Sequence, residues 1–511
     1  MISSVVGMSF KRNVLASYAS QIYVTLIGIV IVPVYIQFMG AEAYGLIGFY
    51  AMLQAWFLLL DMGLAPTMSR ETARFAGGAM DALQLRQLLR ALEGVFYAVG
   101  LLGALALMVG ADAIAARWLK VEHLPLDQVR LAIELMAAII GLRWVAGLYR
   151  GAIGGFEQQV WLGQLNAAMA TARFVLVLPV FYLWGTTPAH FFGYQLAVAC
   201  VETAVLAVKT YRLMPALPAG VAGIRVGWAW APLRGVLKFS LSIAFTSAVW
   251  VFVTQTDKLV LSKLLPLGEY AYFTLAVLVA GGVSIVSGPI STALLPRLSR
   301  LQAQHDEQGL IDLYRKATQW VAVIALPVAL MLACFAEPLL WAWTGNATTA
   351  AHAAPILRLY ALGNGILALG AFPYYLQFAK GDVRLHLLGN VLFVGLLIPT
   401  VIWATLNFGA TGAGWAWLGA NAAYFLFWVP LVHRRFAPGL HGRWLFQDVG
   451  PVALVTAVAA LSAMAFLSPP ASRLGLVALL LLIGMAVMAL AALSSAPCRG
   501  FIRQKWLART L

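Results

Sequence analysis

Three arginines stand inside or at the end of long apolar stretches of this chain, where a charge is costly and therefore informative: Arg143 and Arg173 within them, and Arg150 just past the end of one. Arg143 and Arg150 are seven residues apart. On a helix of 3.6 residues per turn they share nearly one face, about 10 Å apart along the axis. Arg173 lies near the middle of the next apolar stretch, too deep for its side chain to reach an interface easily. Guanidinium forks pair bidentately with phosphate, so three of them on adjacent helices define a candidate anion-binding cavity. Arg358, near one end of a later stretch, is a fourth candidate. The competing readings are snorkelling to the surface for Arg150 and Arg358, and an ion pair with a neighbouring helix for Arg143.

Acids are fewer. Asp61 ends a stretch in Leu60-Asp61-Met62-Gly63-Leu64, and Asp257-Lys258 follows Thr254-Gln255-Thr256. Glu134 precedes Arg143 by nine residues, roughly the opposite face of one helix. With Arg70 and Arg297, which follow Pro66 and Pro296, these are candidates for coupling to a proton or cation, or for gating. A gate salt bridge or a helix cap is the structural alternative for each. No catalytic constellation accompanies them. The chain has no Gly-rich phosphate loop ending in Lys, no His-Glu-x-x-His and no paired cysteines; Cys200, Cys334 and Cys498 are scattered. Neither metal nor cofactor is expected beyond a coupling proton or cation. The connectors have no room for a nucleotide domain, which leaves an ion gradient, the membrane potential or the substrate's own gradient as the energy source.

The elements that must position these charges are membrane spans. Hydrophobic residues make up 62% of the 511 and charged residues 10%, against roughly 25% charged in soluble domains. About fourteen apolar stretches can each cross ~30 Å of hydrocarbon. They run approximately over 14–38, 44–65, 92–112, 129–149, 160–184, 190–208, 236–256, 270–294, 318–336, 355–378, 386–407, 412–432, 449–467 and 474–494. All must be helices, because backbone groups in lipid need internal partners and no barrel-like alternation is present. The fold class is an all-α polytopic membrane protein.

The net charge of +15 invites a nucleic-acid reading, but its distribution excludes one. With the N-terminus inside, inner segments hold 25 of the 34 Lys and Arg, outer segments 6, and the spans keep Arg143, Arg173 and Arg358. That bias places both termini in the cytoplasm. The first stretch follows Lys11-Arg12 and is too long for a cleaved signal core, so it reads as a signal anchor. The basic connectors Met68–Leu92 and Leu301–Gln319 read as helical extensions lying near the inner headgroups, in contact with membrane lipid.

A faint internal echo supports two halves. Gly40-Ala41-Glu42-Ala43-Tyr44 opens the second span and Gly268-Glu269-Tyr270-Ala271-Tyr272 the eighth, six spans later. Each is followed by a Pro and then a Ser-Arg pair, Ser69-Arg70 and Ser299-Arg300. Parallel repeats of this kind are a transporter feature, with the substrate site between repeats. Prolines within spans (Pro33, Pro179, Pro289, Pro327, Pro373, Pro399) supply kinks.

These residues together resemble the polysaccharide-transporter branch of the multidrug/oligosaccharidyl-lipid/polysaccharide exporters, the Wzx-type flippases. The similarity rests on Pro33-Val34-Tyr35 before Met39-Gly40-Ala41-Glu42-Ala43-Tyr44-Gly45-Leu46 and on Leu60-Asp61-Met62-Gly63-Leu64. In the second half it rests on Thr256-Asp257-Lys258, Gly268-Glu269-Tyr270 and Pro289 through Leu295-Pro296-Arg297-Leu298-Ser299-Arg300. The resemblance implies two six-helix bundles around a central cavity, over 1–215 and 216–446, with two extra helices and a basic tail over 447–511. It implies translocation of an undecaprenyl-pyrophosphate-linked oligosaccharide, such as an O-antigen precursor, across the bacterial cytoplasmic membrane. Arg143, Arg150, Arg173 and Arg358 would then face the pyrophosphate or acidic sugars, and a polysaccharide polymerase and a chain-length regulator would be partners.

Two rivals make different demands. A drug/cation antiporter of the same superfamily needs unpaired acids in its cavity, whereas the deep charges here are mostly arginine. A membrane glycosyltransferase or polymerase needs large outer loops, and these are short.

Overall fold

In the computed structural model, residues 19–61, 63–216, 231–467, 470 and 472–500 are described, side chains excepted at 231–232, 235–239, 241–247 and 286–293. Lys11, Arg12, Met62, Arg225, Arg503, Lys505 and Arg509, and the side chains of Lys238 and Pro289, therefore lie outside the described set. The described chain is predominantly helical and divides into two compact units, 1–271 and 272–511.

The first unit contains α1 (Ala19–Val30), α2 (Val32–Phe57), α3 (Leu64–Ala76), α4 (Ala82–Val109), the single turn α5 (Ala111–Ala113) and α6 (Leu126–Gly155). It continues with α7 (Gln159–Phe174), α8 (Leu178–Trp184), α9 (Pro188–Leu213) and α10 (Ala231–Leu264), and ends inside α11 (Leu267–Ala280). The second unit holds α12 (Gly282–Ala303), α13 (Glu307–Cys334), α14 (Ala336–Thr344), α15 (Ala347–Gly370) and α16 (Phe372–Ala379). After these come α17 (Arg384–Ala423), α18 (Val429–Phe436), α19 (Leu440–Arg443), α20 (Gly450–Phe466) and α21 (Arg473–Ser494).

Eleven of the described helical stretches are long and apolar enough to cross a membrane. Two of them hold a break that glycine accommodates without strain: Gly40 at φ 83° within Val32–Asp61, and Gly409 at φ 60° within Arg384–Phe436. The residues before Gly40 continue α1, so each break separates one crossing from the next. With α10 added, the fourteen expected spans fall on helix over their described residues, apart from short turns within them and at their ends.

The motif around Gly40 closes the first helical hairpin. Glu42, two residues past the break, accepts backbone N–H bonds from Glu122 (2.6 Å), His123 (3.0 Å) and Leu124 (3.0 Å). One carboxylate thus satisfies three loop donors. Gly45 is close to Leu267, where a Cβ would meet the carbonyl oxygen at 2.4 Å.

Helix α6 is the axis of the first unit. It packs on α3, α4 and α9, and its buried residues run from Val129 to Ile153. Glycines permit the close approaches. A Cβ at Gly151 would stand 2.5 Å from the carbonyl oxygen of Ala65, and Gly141 stacks on Gly100 of α4. Small residues four apart are the means by which helices associate in lipid, where apolar packing alone gives little preference. Polar side chains add direction: Trp144 donates to the Phe96 carbonyl at 3.0 Å, and Thr203 of α9 to the Leu142 carbonyl at 3.3 Å.

In the second unit α13 takes the central place, packing on α12, α15, α20 and α21. The C-terminal hairpin is fastened to it by a polar network. Arg315 grips Asp448 through Nε (2.7 Å) and Nη2 (3.0 Å), Gln319 donates to Asp448 at 2.7 Å, and Ser495 donates to Gln319 at 3.1 Å. The hairpin is thus part of the second unit. Likewise α10 packs on α2, α3 and α4, which puts 231–271 in one compact unit with the helices before it.

The inner connectors are helical and pack on neighbouring helices. Leu85, Leu88 and Leu89 form the first turns of α4 and are buried against Met68 of α3 and Tyr149 of α6. Leu310 and Tyr314 are equally buried in α13. Their apolar residues pack on neighbouring helices, because the long helices continue past the apolar window and carry their packing faces with them.

Candidate functional site

A cavity of about 630 Å³ in the first unit brings Arg143, Arg150 and Arg173 together. On α6 its wall is Arg143, Ala146, Gly147 and Arg150, the i, i+3, i+4, i+7 face of one helix. On α7 the same spacing gives Gln159, Leu162, Gly163 and Asn166, with Arg173 a further seven residues on. Ser20 and Gln21 of α1, Gln54 of α2 and Glu202 of α9 complete the polar lining.

Each arginine is held differently. Arg143 donates through Nη1 to Gln54 at 3.2 Å and lies over the Tyr50 ring at 5.6 Å, while its Nε is buried with no partner among the described residues. Arg150 donates to Asn166 and to Glu202 Oε1. Arg173 donates through Nε to the Met169 carbonyl one turn back, at 3.1 Å.

The backbone at Arg173 is fixed by a break in the helix. After Phe174 the chain turns before α8, whose first turn contains Pro179. The interruption frees the carbonyls of the last turn of α7. Side chains from other helices capture them: Tyr194 donates to Ala172 (2.9 Å), Gln195 to Arg173 (2.8 Å) and Tyr35 to Phe174 (2.9 Å). Pro179 is thereby connected to the site, since the break it imposes ends α7 one residue past Arg173. A cation in the last turn also suits the helix dipole.

Glu202 is the residue that sequence reasoning missed. It is 3% exposed, its Oε1 accepts from Arg150, and its Oε2 is buried without a partner among the described residues. The signal was present, since Cys200-Val201-Glu202-Thr203 places an acid inside the expected span 190–208. Three guanidiniums facing one carboxylate leave the cavity with excess positive charge, in surroundings where water screening is weak. Such a site suits a polyanion.

The other expected residues lie elsewhere. Arg358 is 4.0 Å from Glu337 in the second unit, both about half exposed. Asp61 caps α3 by accepting from the Ala65 N–H at 3.2 Å. Arg70 pairs with Glu71 at 3.3 Å, and Glu134 with Arg130 at 3.0 Å. Asp257 and Lys258 pair with each other at 3.3 Å, and Lys258 Nζ also donates to the Thr254 carbonyl. Arg297 is exposed on α12. Among the described residues no cluster of His, Cys, Asp and Glu could hold a metal ion.

Solved structures share the fold of this helical membrane protein. The fold is similar to that of lipid II flippase MurJ in an inward closed conformation, at 13% identity and a TM-score of 0.70, covering 94% of this chain and 97% of that one. It is also similar to a multidrug resistance MATE family transporter of the MOP superfamily in an inward-facing conformation, at 14% identity and a TM-score of 0.65, covering 80% and 94%. A third similar structure is an outward-facing conformation of a multidrug resistance MATE family transporter of the MOP superfamily, at 14% identity and a TM-score of 0.53, covering 84% and 95%. No curated protein matches by sequence. The chain belongs to the polysaccharide biosynthesis protein family, whose model matches residues 10–302, and the lipid II flippase MurJ family model matches residues 174–486. It is a multi-pass membrane transporter and not an enzyme.

Proposed function

We propose that this protein is a flippase that moves a polyprenyl-pyrophosphate-linked oligosaccharide, a precursor of O-antigen or another surface polysaccharide, from the inner to the outer leaflet of the bacterial cytoplasmic membrane. The observation that carries the proposal is the convergence of Arg143, Arg150 and Arg173 on one cavity with a single acid. A pyrophosphate bearing a hydrophilic glycan cannot cross ~30 Å of hydrocarbon unaided, because an unpaired charge there costs many kcal/mol. Guanidiniums lining a cavity replace the water that the pyrophosphate gives up, while the polyprenyl chain stays in lipid. The reading draws further support from the two family matches, one to polysaccharide biosynthesis proteins and one to a lipid II flippase. Alternating access completes the cycle: the cavity loads from one side of the membrane and empties to the other.

The experiment is the leaflet distribution of lipid-linked oligosaccharide in cells depleted of this protein. Accumulation in the inner leaflet, with loss of surface polysaccharide and recovery on re-expression, is the expected result. Unchanged translocation, with cationic drugs building up inside, would replace the flippase by an antiporter.

A further inference from the structure

The pairing of Arg150 with Glu202 adds something that cation convergence alone does not. Glu202 comes from α9 into a cavity otherwise furnished with cations and amides, and it takes one guanidinium out of use. Its own environment is unusual. The residue is 3% exposed, one oxygen is committed to Arg150, and the other is buried with no partner among the described residues. A carboxylate placed only to build structure would have both oxygens satisfied, as Asp448 and Glu93 do here.

We infer that Glu202 is an internal counter-anion that occupies Arg150 while the cavity is empty, is displaced by the incoming anion, and takes up one proton as it is displaced. This rests on the reading of the cavity as a pyrophosphate site.

In the structure Arg150 is satisfied by Glu202 and by Asn166. An anion that needs the same fork must compete with a carboxylate already bonded to it. Once Arg150 turns to the ligand, Glu202 is a buried carboxylate beside a polyanion, without its partner. Two like charges in one enclosed site cannot both remain ionised cheaply. The proton goes to Oε2, the oxygen that is free. The charged and titratable groups around Glu202 are Arg143 and Arg150 from α6, Arg173 from α7 and Tyr50 from α2, while α8 supplies no ionisable side chain to the lining.

Two consequences concern selectivity and release. A weak monoanion would not displace Glu202, whereas a pyrophosphate can engage Arg143, Arg150 and Arg173 together, so Glu202 acts as a filter for polyanions. When the anion leaves, Glu202 loses its proton and recovers Arg150, so emptying the cavity returns the proton taken up on loading.

The test uses the purified full-length chain in detergent, with geranylgeranyl pyrophosphate as the probe, titrated by calorimetry in two buffers of different ionisation enthalpy at pH 7. Wild type is expected to bind with net proton uptake. Glu202→Gln, which keeps the shape and loses the charge, is expected to bind about tenfold more tightly, because the like charge is gone, and with about one proton less taken up. Glu202→Asp is a second variant, expected to fold with the carboxylate retained and to keep proton uptake near the wild-type value. Equal affinity and equal uptake in wild type and Glu202→Gln would overturn the inference while leaving the cavity reading intact. Loss of all probe binding by the wild type would overturn the cavity reading itself, and the inference with it.

Discussion

Gly155 of α6 lies so close to Ser69 of α3 that a Cβ on the glycine would stand 2.3 Å from the serine carbonyl oxygen. One turn earlier, Gly151 meets Ala65 in the same way at 2.5 Å. Both glycines are adjacent to the cavity face of α6, since Gly151 follows Arg150 directly. The approach of α3 therefore sets where Arg150 stands.

Enlarging either glycine pushes α3 off α6. Overpacking of this kind costs about 1–3 kcal/mol. Gly155→Val should lower the melting temperature of the purified protein by several degrees, and Gly147→Ala, at a position with open space, should not. Differential scanning fluorimetry in detergent reads the comparison directly.

A second prediction concerns the capped break after α7. Gln195→Leu removes the shorter of two donors to the Arg173 carbonyl and leaves it only the Tyr35 hydroxyl at 3.4 Å, at a cost of about 0.5–1.5 kcal/mol. Because that carbonyl belongs to the arginine itself, export should fall more than abundance does. Tyr194→Phe, which releases the neighbouring Ala172 carbonyl, should have a milder effect of the same sign. Quantifying surface polysaccharide against membrane-fraction immunoblots separates the two readouts.

Much of this arrangement is readable in the sequence, and the unread part has a physical reason. Arg143 and Arg150 are legible as a pair because helical spacing is exact enough over two turns to put them on one face. Arg173 is legible from its depth. That the three meet is not, since sequence spacing says nothing of which helices are neighbours. Glu202 escapes notice although it stands in an apolar run, and its relation to Arg150 exists only through the packing of α9 on α6. Arg358 stands near one end of its stretch, where cavity and surface cannot be told apart in sequence, and the structure pairs it with Glu337.

The Arg315–Asp448 pair predicts a contrast with Arg358–Glu337. Asp448 is 1% exposed in its side chain and accepts three bonds. Removing Arg315 leaves that carboxylate buried with Gln319 alone, which typically costs about 3–5 kcal/mol for a broken buried pair. Arg358→Ala breaks a contact of 4.0 Å between half-exposed groups, worth at most about 1 kcal/mol. Thermal stability should therefore fall markedly in Arg315→Ala and hardly change in Arg358→Ala. The loss should be concentrated in the C-terminal hairpin, where limited proteolysis ought to cut first.

Arg173 offers the sharpest test of the cavity, because its role and its structural contribution separate. Among the described residues its side chain makes one local hydrogen bond, from Nε to Met169 on its own helix. The backbone around it is held by Tyr194, Gln195 and Tyr35 independently of its side chain. Arg173→Ala should thus fold and reach the membrane at wild-type abundance. Its loss removes one charge-assisted contact to a bound anion, about 1.5–3 kcal/mol, which corresponds to roughly a 10- to 100-fold fall in affinity. Arg173→Lys keeps the charge but loses the fork, so it should recover part of the loss and not all of it. Measured as lipid-linked oligosaccharide reaching the outer leaflet, the expected order is wild type, then Lys, then Ala. Equal export by all three at native expression would remove Arg173 from the site, and would leave Arg143 and Arg150 to hold the anion against Glu202.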